Sequence, residues 1–375
     1  MNASTKYQRY QRQILLTEFG TAAQEKLFQA KVLVVGAGGL GCPALQYLSA
    51  AGVGAIGIVD FDLVELTNLQ RQTLYSVEDI GKAKAQTAAD KLKPFNPDIL
   101  FHINNIKLDS TNAFELICDY DLVIDGSDNF ATRYLVNDAC VLLNKPLVYG
   151  AVLRFEGQVG VFNLADKVSN IKTNYRDLFP VPPDPASAPS CSEAGVLGVL
   201  PGIIGTMQAT EAIKIITGIG KPLCNTIVSY NALTNLFYDF IISPAKEINS
   251  SIPENESALR KFNYKWFCGS HGELPEITAA EFDILRVHEK IDIIDVREMD
   301  ELPTVDEFFF TQIPLSKFEE AIKDISTKNK MVIFCQIGKR SLTAIKMLNE
   351  KFPGCSAYSL KGGITEWKKL QHISV

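Results

Sequence analysis

Between a Val-rich run and a helical one, the sequence reads G-A-G-G-L-G, with glycines at Gly36, Gly38, Gly39 and Gly41. Such a turn lets backbone approach a phosphate closely, and the helix behind it aims N–H groups and the positive end of its dipole at the anion. Asp60 ends the next apolar run 24 residues later, where an acid takes ribose hydroxyls. A turn and one acid would serve NAD, whose pyrophosphate is satisfied largely by backbone. The charges downstream suit a different nucleotide. Asp62, Asn68 and Arg71 lie in DFDLVELTNLQRQ, and Lys84 lies on the following helix. The apolar run YDLVIDGSDN brings Asp125, Asp128 and Asn129 to the carboxyl edge where open α/β sheets bind ligands. Cations suit a triphosphate, whose transition state loads charge onto oxygens and leaving pyrophosphate. A carboxylate at that edge can hold Mg2+ together with phosphate. The set favours ATP that is consumed over NAD that carries electrons.

A second constellation, C-Q-I-G-K-R-S, spans Cys335 to Ser341. Cys335, Gln336, Ile337, Gly338, Lys339 and Arg340 form a loop that follows a buried strand and opens a helix. A thiol facing that helix's N–H groups and dipole, with Lys339 and Arg340 beside it, is favoured as thiolate. Cysteine phosphatases use a related loop with arginine one residue further on. Here Arg340 comes five residues after Cys335, a spacing that fits one sulfur atom better than a tetrahedral oxyanion. A second candidate thiol, Cys191, ends the proline-rich stretch RDLFPVPPDPASAPSC.

The elements that position these residues can be read from periodicity. KVLVVG, AIGIVD, ILFHIN, YDLVIDG and PLVYGAV are short, apolar and rich in Val and Ile, with helical periodicity between most of them. That alternation predicts βαβ units, a Rossmann-like α/β fold and a mainly parallel sheet. From Asp166 onward about 25 residues lack a clear element, and a loop of that length is usually a lid or binding loop. The polar, turn-rich stretch from Ala245 to Lys265 breaks the composition. Beyond it IDIIDVRE, KMVIFCQIGKRS and LTAIKMLNEKF restart the rhythm on a smaller scale. The predicted organisation is a large nucleotide-binding α/β domain over 1–245, a linker over 246–272, and a small α/β domain over 273–375.

Composition narrows the class. A net charge of −6 lacks the basic footprint of nucleic-acid binding. The polar opening MNASTKYQRYQRQ has no apolar core of a signal peptide. The most apolar stretch, Ala194 to Ala209, is short of the ~20 residues that span a bilayer. With Pro201 and several glycines it reads as a buried, broken helix. A cytoplasmic protein with no membrane partner is expected. Eight cysteines without a Cys-x-x-Cys pair argue against a disulfide scaffold. Cys42, Cys118, Cys140, Cys224 and Cys355 sit in apolar or amphipathic runs and read as buried thiols.

Residues 5 to about 245 resemble the E1-like adenylyltransferases of the HesA/MoeB/ThiF group, through RYQRQILL, GAGGLG, DFDLVELTNLQRQTLY, GKAKA, DGSDNFATRY and EGQVGVFN. The resemblance implies adenylation of the C-terminal glycine of a small ubiquitin-like sulfur carrier ending in Gly-Gly. It implies ATP and Mg2+ bound by Gly39, Asp60, Asn68, Arg71, Lys84, Asp128 and Asn129, and a homodimer in which Arg12 reaches the partner subunit's site. Residues 276 to 371 resemble the rhodanese sulfurtransferases, through IDIIDVRE, the cysteine loop and LKGGITEW. That implies a persulfide on Cys335 and structural roles for Asp295 and Arg297. Cys191 matches the thioester or acyl-disulfide cysteine of the first family, though a structural thiol is the other reading. Many relatives carry two Cys-x-x-Cys pairs for a structural zinc. Here Asn174 and Asp177 stand at the first pair's place, and Cys268 and His271 are the only later candidates. Two good ligands do not make a structural site, so no zinc is expected and Cys268 reads as a linker cysteine. A non-catalytic carrier-binding scaffold and an NAD-dependent oxidoreductase fused to a sulfurtransferase are the other readings.

Overall fold

The computed structural model describes residues 3–180, 182, 194–245, 252–268, 276–352 and 355–373. The chain forms two compact units, Met1–Arg260 and Lys261–Val375. Their boundary falls inside the stretch 246–272 read as linker. Within that stretch a short helix is built against the first unit. Helix Glu256–Lys261 buries Leu259, and Arg260 pairs with Glu115 at 2.6 Å and bonds the Thr111 carbonyl.

In the first unit the apolar runs become β1 (Lys31–Val35), β2 (Ala55–Val59), β3 (Leu100–Asn104), β4 (Leu122–Asp125) and β5 (Leu147–Leu153). β6 (Glu156–Phe162), β7 (Thr226–Asn231) and β8 (Leu236–Ile241) extend the sheet. The order is β3-β2-β1-β4-β5-β6-β7-β8, parallel as far as β5 and antiparallel beyond it. Val34 of β1 lies between Ile58 of β2 and Ile124 of β4. Because β1 is followed by β2 on one side and β4 lies on the other, a crevice opens at their carboxyl ends. Both faces of these strands are covered, which is why they read as unbroken Val/Ile runs. Each such side chain buried contributes about 1.5–3 kcal/mol.

Helix Gly41–Ala51 starts directly above that crevice and packs Leu45 and Leu48 into the core. Gly52 ends it in the left-handed region at φ 84°, close against the Tyr10 ring. Helix Val199–Thr217 is continuous rather than broken, because Pro201 sits in its first turn, where a missing N–H costs nothing. Its Gly205 lets it press on the Leu40 carbonyl, which a Cβ would meet at 2.2 Å. The edge strand β8 is exposed along its whole length, Leu236, Phe237, Tyr238, Phe240 and Ile241 included.

The second unit holds β9 (Glu276–Ile277), β10 (Ile291–Asp295), β11 (Thr311–Gln312), β12 (Lys330–Phe334) and β13 (Ala357–Leu360), all parallel, in the order β11-β10-β12-β13-β9. Helix Lys339–Lys351 packs Ala344, Ile345 and Leu348 on one face, and Trp367 fills the other. Three thiols depart from expectation. Cys118 is exposed at the end of a short helix, Cys224 just ahead of β7 is only half-buried, and Cys268, read as a linker cysteine, is buried in the second unit.

The glycine turn is tightest where the chain crosses itself. A Cβ on Gly41 would lie 1.9 Å from the Gly36 carbonyl oxygen, whereas one on Gly38 would meet nothing nearer than Gln72 Nε2 at 3.6 Å. Gly41→Ala should therefore cost about 1–3 kcal/mol of stability and Gly38→Ala almost none. Thermal unfolding of the two variants beside the parent checks this, and equal midpoints would contradict the packing argument.

Candidate active sites

The turn after β1 is held by long-range bonds at one residue. The Ala37 N–H donates to Asp60 Oδ2 at 2.7 Å, and the Ala37 carbonyl accepts from the Tyr75 hydroxyl at 2.8 Å. Asp60 Oδ1 also accepts the Asp62 N–H at 2.8 Å. Each carboxylate oxygen keeps a lone pair, so Asp60 can still take ribose hydroxyls. Burial raises its carboxyl pKa, against the pull of these N–H groups and of Lys84. Gly36 adopts φ 89° and backs onto Gly126, so the turns after β1 and β4 lie side by side.

Around this turn stand the expected charges. Lys84 is buried, with its Nζ 3.1 Å from Asp62. Arg71 bonds the Thr67 carbonyl at 3.0 Å, and its aliphatic stem lies next to Gly39. Asn68 closes a capping box with Glu65 and is buried. Asp125 is buried and accepts the Ser127 N–H at 2.9 Å, which shapes the β4 turn. Asp128 and Asn129 beyond it are exposed, and Asn129 caps helix Phe130–Leu142 through the Thr132 N–H. The structure thus gathers Gly36, Gly38, Gly39, Gly41, Asp60, Asp62, Asn68, Arg71, Lys84, Asp128 and Asn129 around the crevice. Arg12 is not among them. It is exposed on helix Gln11–Ile14, whose Gln13 bonds the Ala51 carbonyl at 3.0 Å, at the far end of helix Gly41–Ala51 from the turn.

In the second unit Cys335 follows β12 directly and is 1% exposed, so access to it is set by residues 336–340. Its carbonyl and that of Gln336 accept the N–H groups of Ile364 and Thr365, at 2.9 and 3.2 Å. Gly338 turns the loop at φ 91° into helix Lys339–Lys351. Ser341, 3.6 Å from the sulfur, bonds the Gly338 carbonyl at 2.9 Å and Ser359 at 2.8 Å. Asp295 grips Arg297, which also reaches the Pro303 carbonyl at 2.8 Å. That pair is buried and braces the loop after β10. Cys191 and His271 lie outside the described residues.

A family model described as the ThiF family matches residues 10–250, and one for the rhodanese-like domain matches residues 278–370. The chain belongs to the ThiF family. It is 41% identical over 371 residues to "Probable adenylyltransferase/sulfurtransferase MoeZ" of Mycobacterium tuberculosis, covering 96% of this chain and 92% of that protein. It is 48% identical over 263 residues to "Sulfur carrier protein adenylyltransferase" of Thermus thermophilus, covering 70% of this chain and 96% of the relative. "Probable molybdopterin-synthase adenylyltransferase" of Porphyra purpurea is 39% identical over 375 residues, 97% of this chain and 94% of its own. Among solved structures, E. coli MccB with ATP superposes with a TM-score of 0.55 at 22% identity, over 66% of this chain and 74% of that one, a likeness of fold. The chain is an enzyme of the adenylyltransferase and sulfurtransferase kind.

Within the ThiF unit, several residues that hold the site escape a reading of motifs. Tyr75 pins Ala37 from 38 positions away. Gln208 donates to the Asp125 carbonyl at 2.7 Å and to the Val148 carbonyl at 3.3 Å, tying helix Val199–Thr217 to the sheet edge. Arg133 donates to the Ser127 carbonyl at 3.2 Å. Tyr75 and Gln208 carry no composition signal, because their partners are remote in sequence, whereas Arg133 reaches back only six positions.

At Asn174 and Asp177 the ThiF unit builds a hydrogen-bonded clasp. Asn174 caps helix Tyr175–Leu178 through the Arg176 N–H, and Asp177 Oδ2 accepts the Asn174 N–H at 2.8 Å. Asp177 Oδ1 accepts the Ala245 N–H at 2.9 Å, so one carboxylate joins chain segments 68 positions apart. Nearby, Arg176 and Asp138 form a fully buried pair at 2.6 Å. Among the described residues no group of three or more His, Cys, Asp or Glu could hold a metal ion, and no helix is long and apolar enough to cross a membrane. Asp177→Ala should lower stability by about 1–2 kcal/mol, the cost of a lost cap, while a zinc chelator should leave the unfolding midpoint of the parent protein unchanged. A fall in midpoint with chelator would overturn the clasp as the closure.

Proposed function

We propose that the ThiF unit uses ATP and Mg2+ to adenylate the C-terminal carboxylate of a small ubiquitin-like sulfur carrier ending in Gly-Gly, and that the rhodanese-like unit delivers sulfur to the product from a persulfide on Cys335. The observation that carries this reading is the union, in one chain, of a glycine turn ringed by Arg71, Lys84 and Asp128 with a cysteine loop bearing Lys339 and Arg340. The printed names of the relatives support it. The Porphyra name favours a molybdopterin-type carrier over a thiamine-type one.

A C-terminal carboxylate has a pKa of about 3.5, so it is ionised at neutral pH and needs no general base. Its oxygen attacks the α-phosphorus, the bond to pyrophosphate breaks, and an acyl-adenylate forms. The enzyme's task is to bring two anions together. Arg71 and Lys84 offset their repulsion, and Asp60 and the glycine turn orient the nucleotide. The exposed carboxylate of Asp128, beside Asn129 at the sheet's edge, suits Mg2+, which when bound would neutralise phosphate charge. The persulfide's outer sulfur then attacks the acyl carbon and AMP leaves. A second thiol, for which Cys191 is the candidate, would attack the Cys335 sulfur, break its bond to the outer sulfur and release the thiocarboxylate, leaving a disulfide that an external dithiol reductant must reduce. Holding both activities on one chain raises their effective concentration.

The position of Arg12 supports a homodimer. Helix Gly41–Ala51 rises about 15 Å from turn to far end, and Arg12 sits at that far end, out of reach of its own glycine turn. In this reading it serves the site of a second copy. The reading includes no nucleic-acid partner and no structural zinc.

Asp128→Ala should abolish carrier-dependent ATP–pyrophosphate exchange without altering the unfolding midpoint; exchange at the parental rate would remove Asp128 from the site. Mixing that variant with Arg12→Ala should restore part of the exchange, because one site of each mixed dimer keeps both groups. No recovery despite proven subunit exchange would argue against a shared site.

Cys335→Ser should keep exchange and lose thiosulfate:cyanide sulfurtransferase activity, while Cys191→Ser should keep both. Peptide mass spectrometry after thiosulfate treatment locates the added sulfur, and finding it on Cys191 instead of Cys335 would reverse the assignment.

A further inference from the structure

The cation of the cysteine loop is already engaged. Arg340 gives both terminal nitrogens to the carboxylate of Glu301, with Nη2 2.5 Å from Oε2. Their side chains are 34% and 28% exposed, so the pair sits at the surface of the unit rather than in its core. Glu301 is fixed in turn, since its Oε1 accepts the Glu298 N–H at 2.9 Å and its own N–H donates to the Glu298 carbonyl at 3.3 Å. The Arg340 hydrogen bonds hold the Glu301 carboxyl at about 2, so it is ionised at any working pH. Glu298 and Asp300 add two more carboxylates to the same turn. Lys339 is exposed and forms no ion pair among the described residues.

We propose that Glu301 is a specificity-determining residue for the sulfur donor. By occupying Arg340 it turns the loop away from dianionic oxoanion donors such as thiosulfate and toward alkyl persulfides, which carry no oxyanion to be held. The inference rests on the persulfide reading of Cys335. With thiosulfate, the Cys335 thiolate attacks the outer sulfur, the S–S bond breaks, and sulfite leaves with the bonding electrons. The developing sulfite needs a cation. An arginine already paired with a carboxylate offers little net charge, and the carboxylate repels the incoming dianion. A persulfide R–S–S⁻ transfers its outer sulfur with a simple thiolate as leaving group and loses nothing from the pairing. Discrimination is thus built from a repulsive element as well as an attractive one.

The test uses the full chain with cyanide as sulfur acceptor and two donors of different charge, thiosulfate and the monoanion benzenethiosulfonate. Glu301→Gln should lower the KM for thiosulfate roughly threefold to fivefold, the scale of a half-exposed ion pair, with kcat little changed. The KM for benzenethiosulfonate should move less, in keeping with its smaller charge, and Glu301→Asp should resemble the parent. Equal changes for the two donors, or no change, would overturn the proposal. So would a fall in kcat for both donors with a lower unfolding midpoint, which would mean that Glu301 only braces the loop. Sulfur transfer that survives Cys335→Ser would overturn the persulfide reading itself, a result separable from any behaviour of the Glu301 variants.

Discussion

The peptide of Ala37 is the point on which the first unit's chemistry depends. Its N–H and its carbonyl are both bound, to Asp60 and Tyr75. The Cys42 thiol adds a second bond to that carbonyl at 3.3 Å. A phosphate-binding turn must leave its other N–H groups unpaired and aimed outward, an arrangement that water or a collapsed turn would otherwise satisfy. Fixing one peptide from two sides, and closing Gly36 against Gly41, removes that freedom before any nucleotide arrives. β2, the segment around Tyr75 and helix Gly41–Ala51 are thereby coupled to one short loop.

A shared electrostatic logic runs through the two units. Lys84 rests on Asp62 and Arg340 rests on Glu301. Burying a cation alone is costly, and a partner carboxylate offsets much of that cost. Lys84, with a side chain only 7% exposed, is paired with Asp62 and also faces the charge of Asp60. Under the proposed function an anionic substrate at Lys84 competes with Asp62 by exchange of partners, whereas at Arg340 the resident carboxylate turns the anion away. Exchange favours the ligand that fits the geometry over one that merely carries charge.

What could be read in the sequence follows from the range over which a residue acts. The glycine turn, Asp60, the β4 edge and the cysteine loop are local patterns, each set between a strand and a helix, and all appear where periodicity put them. The parallel order through β5 was legible for the same reason. Residues that act across the fold were not. Tyr75, Gln208 and Glu301 find their partners only after the chain has folded. Asn174 and Asp177 were noticed as departures from a metal pattern, but their role as a clasp on Ala245 needed the tertiary contact. Pro201 misled because a proline in the first turn of a helix looks in sequence like a break. Cys118 misled because a short amphipathic helix can end on its wet side.

The exposed edge strand β8 carries a different cost. Unpaired backbone groups at a sheet edge, flanked by apolar side chains, form a template on which another strand can add. Along Leu236–Ile241 the only ionisable acid is Asp239, amid Leu, Phe, Tyr and Ile. The net charge of −6 belongs to the chain as a whole, whereas within β8 itself Asp239 is the one carboxylate. Dispersal at high concentration, wherever β8 lies uncovered, therefore rests on the single carboxylate at position 239, which makes that residue a gatekeeper against strand addition.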